Sequence, residues 1–415
     1  SSICTFGRLH PHKLLSKNKL KFETRAVRDG SFRSGANEHS ESLFLTSSFM
    51  FDSAEQASNR FSGLDAGMIY SRFTNPNVQM FEDRLASLEE GDACVATASG
   101  MSAVLSVCLT FLKSGDEILT TPSLFGATLQ LFDNVLKKFN VSIKYVSLID
   151  LQEWENSVTK KTKIMYLETP SNPLNQIADL NGIARIAKKF KIISIVDNCL
   201  CTPAIQKPLN YGIDLVLHSA TKFIDGQGRV LAGAIIGKKK LINQIKTVVR
   251  TSGPALAPFN AWILFRSLET LSVRMNAQSH SARKIASWLE KNASIAKVFY
   301  PFLESNPQHK IAKNQQLMGG AVISFQLKNQ NDLKKNYLAW RIINNVKIFS
   351  NSANLGDTRS IITHPYSTTH SRITETFKKK SGVNHLLIRL SIGLENTNDL
   401  ISDLDQALNY RESDT

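Results

Sequence analysis

The sequence predicts an α/β protein whose seven-stranded, mostly parallel sheet lies between helices. Two observations lead to this prediction: short apolar runs alternate with helical periods over residues 93–236, and polar side chains follow the ends of several runs. Such alternation is typical of parallel sheets, in which active sites collect at the carboxyl ends of the strands. We therefore expect the functional site at that edge of the sheet.

The bulk composition indicates a globular protein with a large core. The chain has 415 residues, 42% hydrophobic and 20% charged, which is enough for two or three domains. No apolar run approaches the roughly 18–20 residues of a membrane span. The five cysteines form no Cys-x-x-Cys pair and their number is odd, which argues against a disulfide framework and favours a reducing cytoplasm.

The net charge of +15 raises the possibility of a nucleic-acid or acidic-lipid partner. However, the basic residues occur as short groups, such as 238–240 and 378–380, without interleaved aromatic residues. This pattern favours an ordinary basic surface, which would also attract an acidic substrate and a phosphorylated cofactor. We therefore expect small-molecule substrates, with neither nucleic acid nor a membrane as a partner.

The amino-terminal part contains a tail and a loop that suits phosphate. Residues 1–20 are basic and lack acidic side chains, which predicts a disordered tail, with a transit peptide as the alternative. The loop of Tyr70 and Arg72 ends at Asn75-Pro76 and precedes a predicted helix over 78–88. A hydroxyl and a guanidinium two residues apart suit a phosphate, although an ordinary turn explains them equally well.

The strands and helices of the predicted sheet follow in turn. The strands are expected at 93–98, 117–120, 142–147, 163–168, 192–196, 214–218 and 231–236. The helices are expected at 103–112, 126–139, 151–157 and 180–190. Ser99-Gly100-Met101 joins the first strand to its helix, and the free N–H groups of such a turn suit a phosphate.

The stretch around Lys222 carries the most distinctive chemistry. After an apolar run, Ser219, Thr221 and Lys222 fall within four residues. Hydroxyls suit a phosphate, and the amine can trap a carbonyl as an imine, which is the chemistry of pyridoxal phosphate. The same residues match the Ser-x-x-Lys motif of penicillin-recognising enzymes, but the Ser-Asp-Asn and Lys-Thr-Gly tripeptides that those enzymes need are absent from the sequence.

Asp197 ends another predicted strand, so its carboxylate should be sheltered and need a partner. A protonated pyridine nitrogen is one partner, and capping of the following turn is the alternative. Cys199 and Cys201 follow in the same turn and are predicted to be small buried side chains, not catalytic thiols. His364 and His370 have no acidic or thiol ligand nearby, so no metal site is expected.

The last third of the chain changes character. Helical periods cover 262–275, 281–292, 333–345 and 398–408, and strands are expected at 321–327 and 386–393. Arg389 lies inside the last strand, and an arginine is rarely buried there without a carboxylate partner. The partner is either a substrate or an internal Asp or Glu.

Five motifs occur together in one order. They are Tyr70-Ser-Arg72 with Asn75-Pro76, Ser99-Gly100-Met101, Glu168-Thr-Pro-Ser-Asn172-Pro173, Val196-Asp197-Asn198 and Ser219-Ala-Thr-Lys222. From about Phe22 to Leu408 the chain resembles the pyridoxal-phosphate-dependent enzymes of cysteine and methionine metabolism. The resemblance implies a fold-type I architecture, with a tail over 1–20, an arm over 21–72, a cofactor domain over 73–280 and a smaller α+β domain over 281–415. It also implies a homotetramer built from dimers.

The resemblance assigns a role to each candidate residue. Lys222 would bind the cofactor aldehyde and shuttle protons, with help from Tyr70, while Asp197 would pair with the ring nitrogen and Asn172 approach the phenolic oxygen. Arg389 and the backbone near Asn354 would bind the substrate carboxylate. The remaining roles are cofactor binding: Ser99, Gly100, Met101, Ser219 and Thr221 at the phosphate of their own subunit, Phe125 stacked on the ring, and Tyr70 and Arg72 at the neighbouring subunit's phosphate.

The motifs around Tyr70, residues 224–230 and residues 354–358 favour one branch of the family. This branch converts O-succinylhomoserine and sulfide to homocysteine and succinate. Phe125 stands where most relatives carry Tyr, and Asn354 where cystathionine synthases carry Ser. Cystathionine γ-synthase, O-acetylhomoserine sulfhydrylase and methionine γ-lyase activities remain alternatives, and a basic nucleic-acid-binding protein is a remote one.

Overall fold

The computed structural model describes residues 10–11, 20–328 and 336–410. The prediction of a disordered tail over 1–20 falls almost entirely outside these ranges. The seven predicted strands are confirmed as one sheet, with ends that differ by a residue or two. They are β1 (Ala93–Thr97), β2 (Glu117–Thr120), β3 (Ser142–Tyr145), β4 (Thr162–Glu168), β5 (Ile193–Asp197), β6 (Leu215–Ser219) and β7 (Gly233–Gly237).

The order of the strands brings distant parts of the chain together. The sheet runs β1-β7-β6-β5-β4-β2-β3, and its pairs are parallel except those of β7, which is antiparallel to both neighbours. Gly233 on β7 lies opposite Thr97 on one side and Ser219 on the other. The turn after β1 and the turn after β6 therefore flank the start of β7.

Helices cover the sheet through apolar stripes. In Leu180–Phe190, for example, Leu180, Ile183 and Ile186 are buried against the strands, and the side chain of Asp179 caps the helix by accepting from the N–H of Gly182. The helices of this part are Phe22–Arg28, Ala54–Ser62, Pro76–Glu89, Gly100–Phe111, Leu151–Ser157, Leu180–Phe190, Thr202–Ile205, Pro208–Tyr211 (3-10) and Lys239–Ser252.

The segment predicted as one helix over 126–139 is helical throughout but not uniform. It begins as an α-helix over Gly126–Gln130, widens to a π-helix over Leu131–Val135 and tightens to a 3-10 helix over Leu136–Phe139. Asn140 ends it in the left-handed conformation. Short π-helical stretches within a helix are often found at functional sites.

The helix break predicted between 275 and 281 is wrong. The structure has helices at Pro258–Leu268 and Leu271–Lys291, so the break lies at Glu269–Thr270. Two of the polar residues between the predicted helices, Gln278 and Ser279, are buried within the second helix. Gln278 Nε2 donates to the carbonyl of Ile392, next to the second sheet, and the helix continues without interruption.

The second sheet has five strands, where the sequence predicted two. They are β8 (Ile295–Phe299), β9 (Val322–Leu327), β10 (Ser350–Asn351), β11 (Ile361–Thr363) and β12 (Leu387–Ser391), in the order β8-β9-β12-β11-β10. The remaining helices are His309–Gln315, Tyr337–Asn345, Pro365–Ser367 (3-10), Glu375–Lys380 and Thr397–Asn409. The predicted helix over 333–345 is observed from Tyr337, and residues 333–335 lie outside the described ranges. The predicted domain boundaries stay predictions.

His10–Pro11 pairs with Phe32–Arg33 as a two-stranded antiparallel ladder. Within the described ranges, no helix is both long and apolar enough to cross a membrane.

Candidate active site

A cavity of about 730 Å³ opens at the carboxyl ends of β1, β4, β5 and β6, where the second sheet meets the first. Ten of the residues predicted for the site line it: Ser99, Gly100, Met101, Phe125, Asn172, Asp197, Ser219, Thr221, Lys222 and Arg389. Chain segments separated by up to 290 positions, from Ser99 to Arg389, thus meet in one space.

The turn after β1 forms a cradle. Ser99 caps the helix Gly100–Phe111 by accepting from the N–H of Ser102, and the Ser102 hydroxyl accepts from the N–H of Ser99. The N–H groups of Gly100 and Met101 belong to the first turn, where a helix supplies no acceptors. A Cβ on Gly100 would lie 2.7 Å from the Cβ of Ser219, so only glycine lets the two turns approach. Small side chains, hydroxyls and free N–H groups together suit a phosphate.

Lys222 lies at the centre of the cavity wall. Its Nζ donates to Oδ1 of Asn354 at 2.7 Å. Burial lowers the pKa of Lys222, and the positive charge of Arg389 lowers it further, while Cys199 acts in the opposite direction. The amine therefore loses its proton more readily than a surface lysine, as a nucleophile toward a carbonyl must.

Two carboxyl groups, Asp197 and Glu168, lie side by side at the ends of adjacent strands. Asp197 Oδ1 accepts from the N–H of Cys199 at 3.0 Å, and Glu168 Oε2 accepts from the N–H of Phe125 at 2.9 Å. Burial raises the pKa of both groups, and the charge of Asp197 raises that of Glu168 further. An ionised Asp197 therefore calls for a positive partner from within the cavity.

Arg389 lies in β12, the middle strand of the second sheet, and is 1% exposed. Its Nη1 donates to Asn172 Oδ1 at 3.0 Å, and its Nη2 donates to the carbonyl of Asn354 at 3.1 Å. Within the described part of the chain, Arg389 forms no salt bridge and its buried Nε has no hydrogen-bond partner. Burial lowers the pKa of Arg389 to about 10. No Asp or Glu of these residues forms an ion pair with Arg389, but the nearby charge of Glu168 opposes the lowering of its pKa. Of the two partners left open by the sequence, an internal carboxylate is therefore present only beyond ion-pair distance.

Three predicted residues do not line the cavity. Asn354 lies just behind its wall and reaches Lys222 through its side chain. Tyr70 and Arg72 lie elsewhere on the surface: the Arg72 guanidinium donates to the carbonyl of Arg250 and stacks 4.6 Å from the Phe73 ring centroid. The structure therefore does not bring Tyr70 or Arg72 to the cavity of its own chain.

The cavity also contains residues that sequence reasoning did not place there. They are, among others, Glu168, Cys199, Gln130, Thr369 and Arg372. Glu168 is the last residue of β4 and Cys199 lies just past β5, and these positions at strand ends are a signal that the sequence carries. The prediction of small buried side chains is confirmed for Cys201, whereas Cys199 is only partly buried and lines the cavity. Burial raises the pKa of the Cys199 thiol. Nothing in the sequence around Arg372 pointed to the cavity.

The donor set fits pyridoxal phosphate. The cradle of Ser99, Gly100 and Ser219 matches a phosphate, Lys222 matches an aldehyde, and Asp197 matches a protonated ring nitrogen. Phe125 lines the same cavity, where its ring can stack on a flat ligand.

Comparisons with known proteins agree with this fit. The profile of the Cys/Met metabolism PLP-dependent enzymes matches residues 23–409. O-succinylhomoserine sulfhydrylase from Pseudomonas aeruginosa is 44% identical over 93% of this chain and 95% of its own. L-methionine γ-lyase from Fusobacterium nucleatum subsp. polymorphum is 40% identical over 95% of this chain and 99% of its own.

Solved structures show the same architecture. Cystathionine γ-lyase from Lactobacillus plantarum, in complex with L-serine, superimposes with a TM-score of 0.87 at 34% identity, covering 94% of this chain and 98% of its own. A Campylobacter jejuni protein described as a candidate O-acetylhomoserine (thiol)-lyase reaches 0.90 at 34% identity, covering 94% and 100%, and carries a pyridoxyl-lysine monophosphate. The chain described here therefore belongs to the family of pyridoxal-phosphate-dependent enzymes of cysteine and methionine metabolism, with a fold-type I architecture.

Proposed function

We propose that this enzyme catalyses a γ-replacement that converts O-succinylhomoserine and sulfide to homocysteine and succinate. The observation that carries the proposal is the cavity itself, in which a deprotonable Lys222 and the under-satisfied guanidinium of Arg389 lie where an amino-acid substrate needs them. The choice of branch is supported by the similarity to the P. aeruginosa sulfhydrylase.

Each residue contributes one physical task. When bound, pyridoxal phosphate supplies an aldehyde that captures an amine and a ring that withdraws electrons from the attached carbon. Arg389 binds the α-carboxylate of the substrate, because its Nε is free to donate and its charge is buried. Asp197 would hold a proton at the ring nitrogen of the bound cofactor. The Phe125 ring would exclude water from one face of the cofactor ring.

Lys222 is the general base and acid. Because burial lowers its pKa, its amine can accept the α-proton more readily than that of a surface lysine and return a proton later in the reaction. Asn354 Oδ1, 2.7 Å from Nζ, orients this amine. Lys222→Ala should abolish turnover and the visible absorbance of the bound cofactor. Normal activity in that variant would contradict the assignment.

We also propose a cytoplasmic homotetramer in which Tyr70 and Arg72 complete the phosphate site of a neighbouring subunit, with Tyr70 assisting proton transfer. Both residues lie outside their own chain's cavity, as such sharing requires. The adjoining arm exposes large apolar side chains, with Met50 94% and Leu64 82% exposed, which is typical of an interface. If the site is shared, mixed oligomers of Arg72→Ala and Lys222→Ala subunits should be more active than either variant alone.

A second candidate is methionine γ-lyase, because relatives with that activity are nearly as similar. The two are separated by products. We expect the purified enzyme to form homocysteine and succinate from O-succinylhomoserine and sulfide, faster than cystathionine from the same ester and cysteine. Faster formation of methanethiol from methionine would overturn the proposal, and preference for O-acetylhomoserine would move it to the neighbouring branch.

A further inference from the structure

One more cation lines the active-site cavity at its mouth. Arg372 shares this wall with Phe125 and Gln130, and its side chain is exposed to solvent. Over residues 10–11, 20–328 and 336–410, no Asp or Glu forms an ion pair with its guanidinium. Arg372 is therefore a charged group at a binding site that the protein itself does not neutralise.

The backbone of Arg372 is held firmly although its side chain is exposed. Gln130 Nε2 donates to the carbonyl of Arg372 at 3.1 Å, and the next residue, Ile373, is buried with only 7% exposed. On the other side, Thr369 presses against the start of the helix at Gly126, where a Cβ would lie 2.6 Å from the Thr369 carbonyl oxygen. These contacts place the backbone of Arg372 at the rim of the cavity, and the side chain extends from there.

The other charged side chains of the cavity already have a partner or a proposed role, whereas Arg372, among the described residues, has neither. The charged side chains that line it are Glu168, Asp197, Lys222, Arg372 and Arg389. In the proposed function Asp197 pairs with the ring nitrogen of the cofactor. Glu168 accepts a hydrogen bond from the backbone N–H of Phe125. Lys222 and Arg389 serve the reacting carbon and the α-carboxylate. Arg372 remains, so the cavity has one arginine buried in its wall and another at its mouth.

We infer that Arg372 binds the terminal carboxylate of a dicarboxylic substrate and so selects the O-succinyl ester over the O-acetyl ester. The inference rests on the proposed function. O-Succinylhomoserine carries a carboxylate at each end, whereas O-acetylhomoserine and methionine carry one. A guanidinium binds a carboxylate through two parallel hydrogen bonds, which gives both affinity and orientation.

The test compares both esters in Arg372→Ala, Arg372→Lys and the control Lys379→Ala. Lys379 is an exposed cation on the nearby helix Glu375–Lys380 and does not line the cavity. For Arg372→Ala we expect the preference for O-succinylhomoserine, as a ratio of kcat/KM values, to fall roughly tenfold through KM, since the contact is partly solvated. Arg372→Lys should recover part of the preference, and Lys379→Ala should keep it. An unchanged ratio in Arg372→Ala would overturn the inference.

A binding measurement separates this inference from the proposed function. Nonanedioate does not react and separates its two carboxylates by as many chain atoms as O-succinylhomoserine does; nonanoate lacks the second carboxylate. Calorimetry of the cofactor-loaded enzyme should show tighter binding of nonanedioate than of nonanoate, and Arg372→Ala should remove the difference. A difference that persists in Arg372→Ala would refute the role of Arg372. Absence of γ-replacement by the unaltered enzyme would refute the proposed function alone.

Discussion

Two arginines, Arg84 and Arg389, are almost equally buried, at 0% and 1% exposure, yet their surroundings differ in kind. Arg84 lies in the helix Pro76–Glu89, between the amino-terminal segment and the helix Pro258–Leu268. Arg389 lies in the second sheet and faces the cavity. Burial therefore does not by itself distinguish a structural arginine from a binding one.

The difference lies in how completely the protein satisfies each guanidinium. The donors of Arg84 reach the carbonyls of Asp29, Phe265 and Val27 at 2.7, 3.0 and 3.1 Å. They also reach the Ser31 hydroxyl and the Glu269 carboxylate. Arg389 donates to amide and carbonyl oxygens, and its Nε is left without a partner in the described part of the chain. A buried arginine whose donors are all paired is expected to stabilise the fold, and one with an unpaired donor can bind a ligand.

The largest expected effect is a loss of activity, and it tests the proposed binding role of Arg389. Arg389→Ala should lower kcat/KM about a thousandfold, or about 4 kcal/mol of transition-state stabilisation, because the substrate carboxylate loses a buried charged partner. Its free energy of unfolding should fall by less than that of Arg84→Ala, since fewer buried acceptors lose their donor. Steady-state kinetics and denaturant unfolding measure both quantities. If the variant keeps its KM and loses stability instead, the contrast between the two arginines is broken.

The opposite pattern is expected for Arg84. Arg84→Ala should lower the free energy of unfolding by about 3 kcal/mol, because it leaves several buried carbonyls without donors. KM should stay the same in the protein that remains folded. The exposed Arg28 provides a control, because Arg28→Ala removes the same charge without buried contacts. Equal unfolding midpoints for the two variants would show that the carbonyl contacts of Arg84 contribute nothing.

The free energy of unfolding should depend on pH through His370, which lies near Arg389. Burial and the charge of Arg389 lower the pKa of His370 to about 4, from 6.5. A lowered pKa means that the unfolded chain binds the proton first, so this stability is present above about pH 6.5 and is lost as pH falls toward 4. The loss should be roughly 2 kcal/mol. Unfolding at pH 7.5 and pH 4.5 measures it: His370→Gln should flatten the change, whereas replacement of the exposed His39 should not.

The smallest expected change in stability is that of Glu269→Gln, which tests whether the ion pair or the hydrogen bonds of Arg84 matter more. Glu269→Gln removes its ionic partner, whose carboxylate lies 3.4 Å from Nη1 and is 20% exposed. The other four acceptors remain, so the free energy of unfolding should fall by about 1 kcal/mol at most. A loss as large as that of Arg84→Ala would mean that the ion pair, and not the carbonyls, stabilises this part of the molecule.

The two arginines also show which features could be predicted from the sequence and which could not. Arg389 could be predicted as special because an arginine inside an apolar strand is rare, whereas Arg84 carried no signal within an ordinary helical period. The seven strands and the lysine at 222 followed from local patterns. Arg372 could not be placed, because its position depends on a loop of the second sheet meeting the helix that starts at Gly126. Buried polar residues such as Gln278 resembled a helix break because their partners are distant in the chain.

The pairing of Thr97 with Gly233 has a consequence for synthesis. The first strand of the large sheet gains this neighbour only after the last strand has left the ribosome, so the phosphate cradle cannot close on a shorter nascent chain. The strand that holds Arg389 emerges later still. The residues that each chain itself contributes to the coenzyme are therefore all synthesised before the arginine proposed to bind the substrate carboxylate.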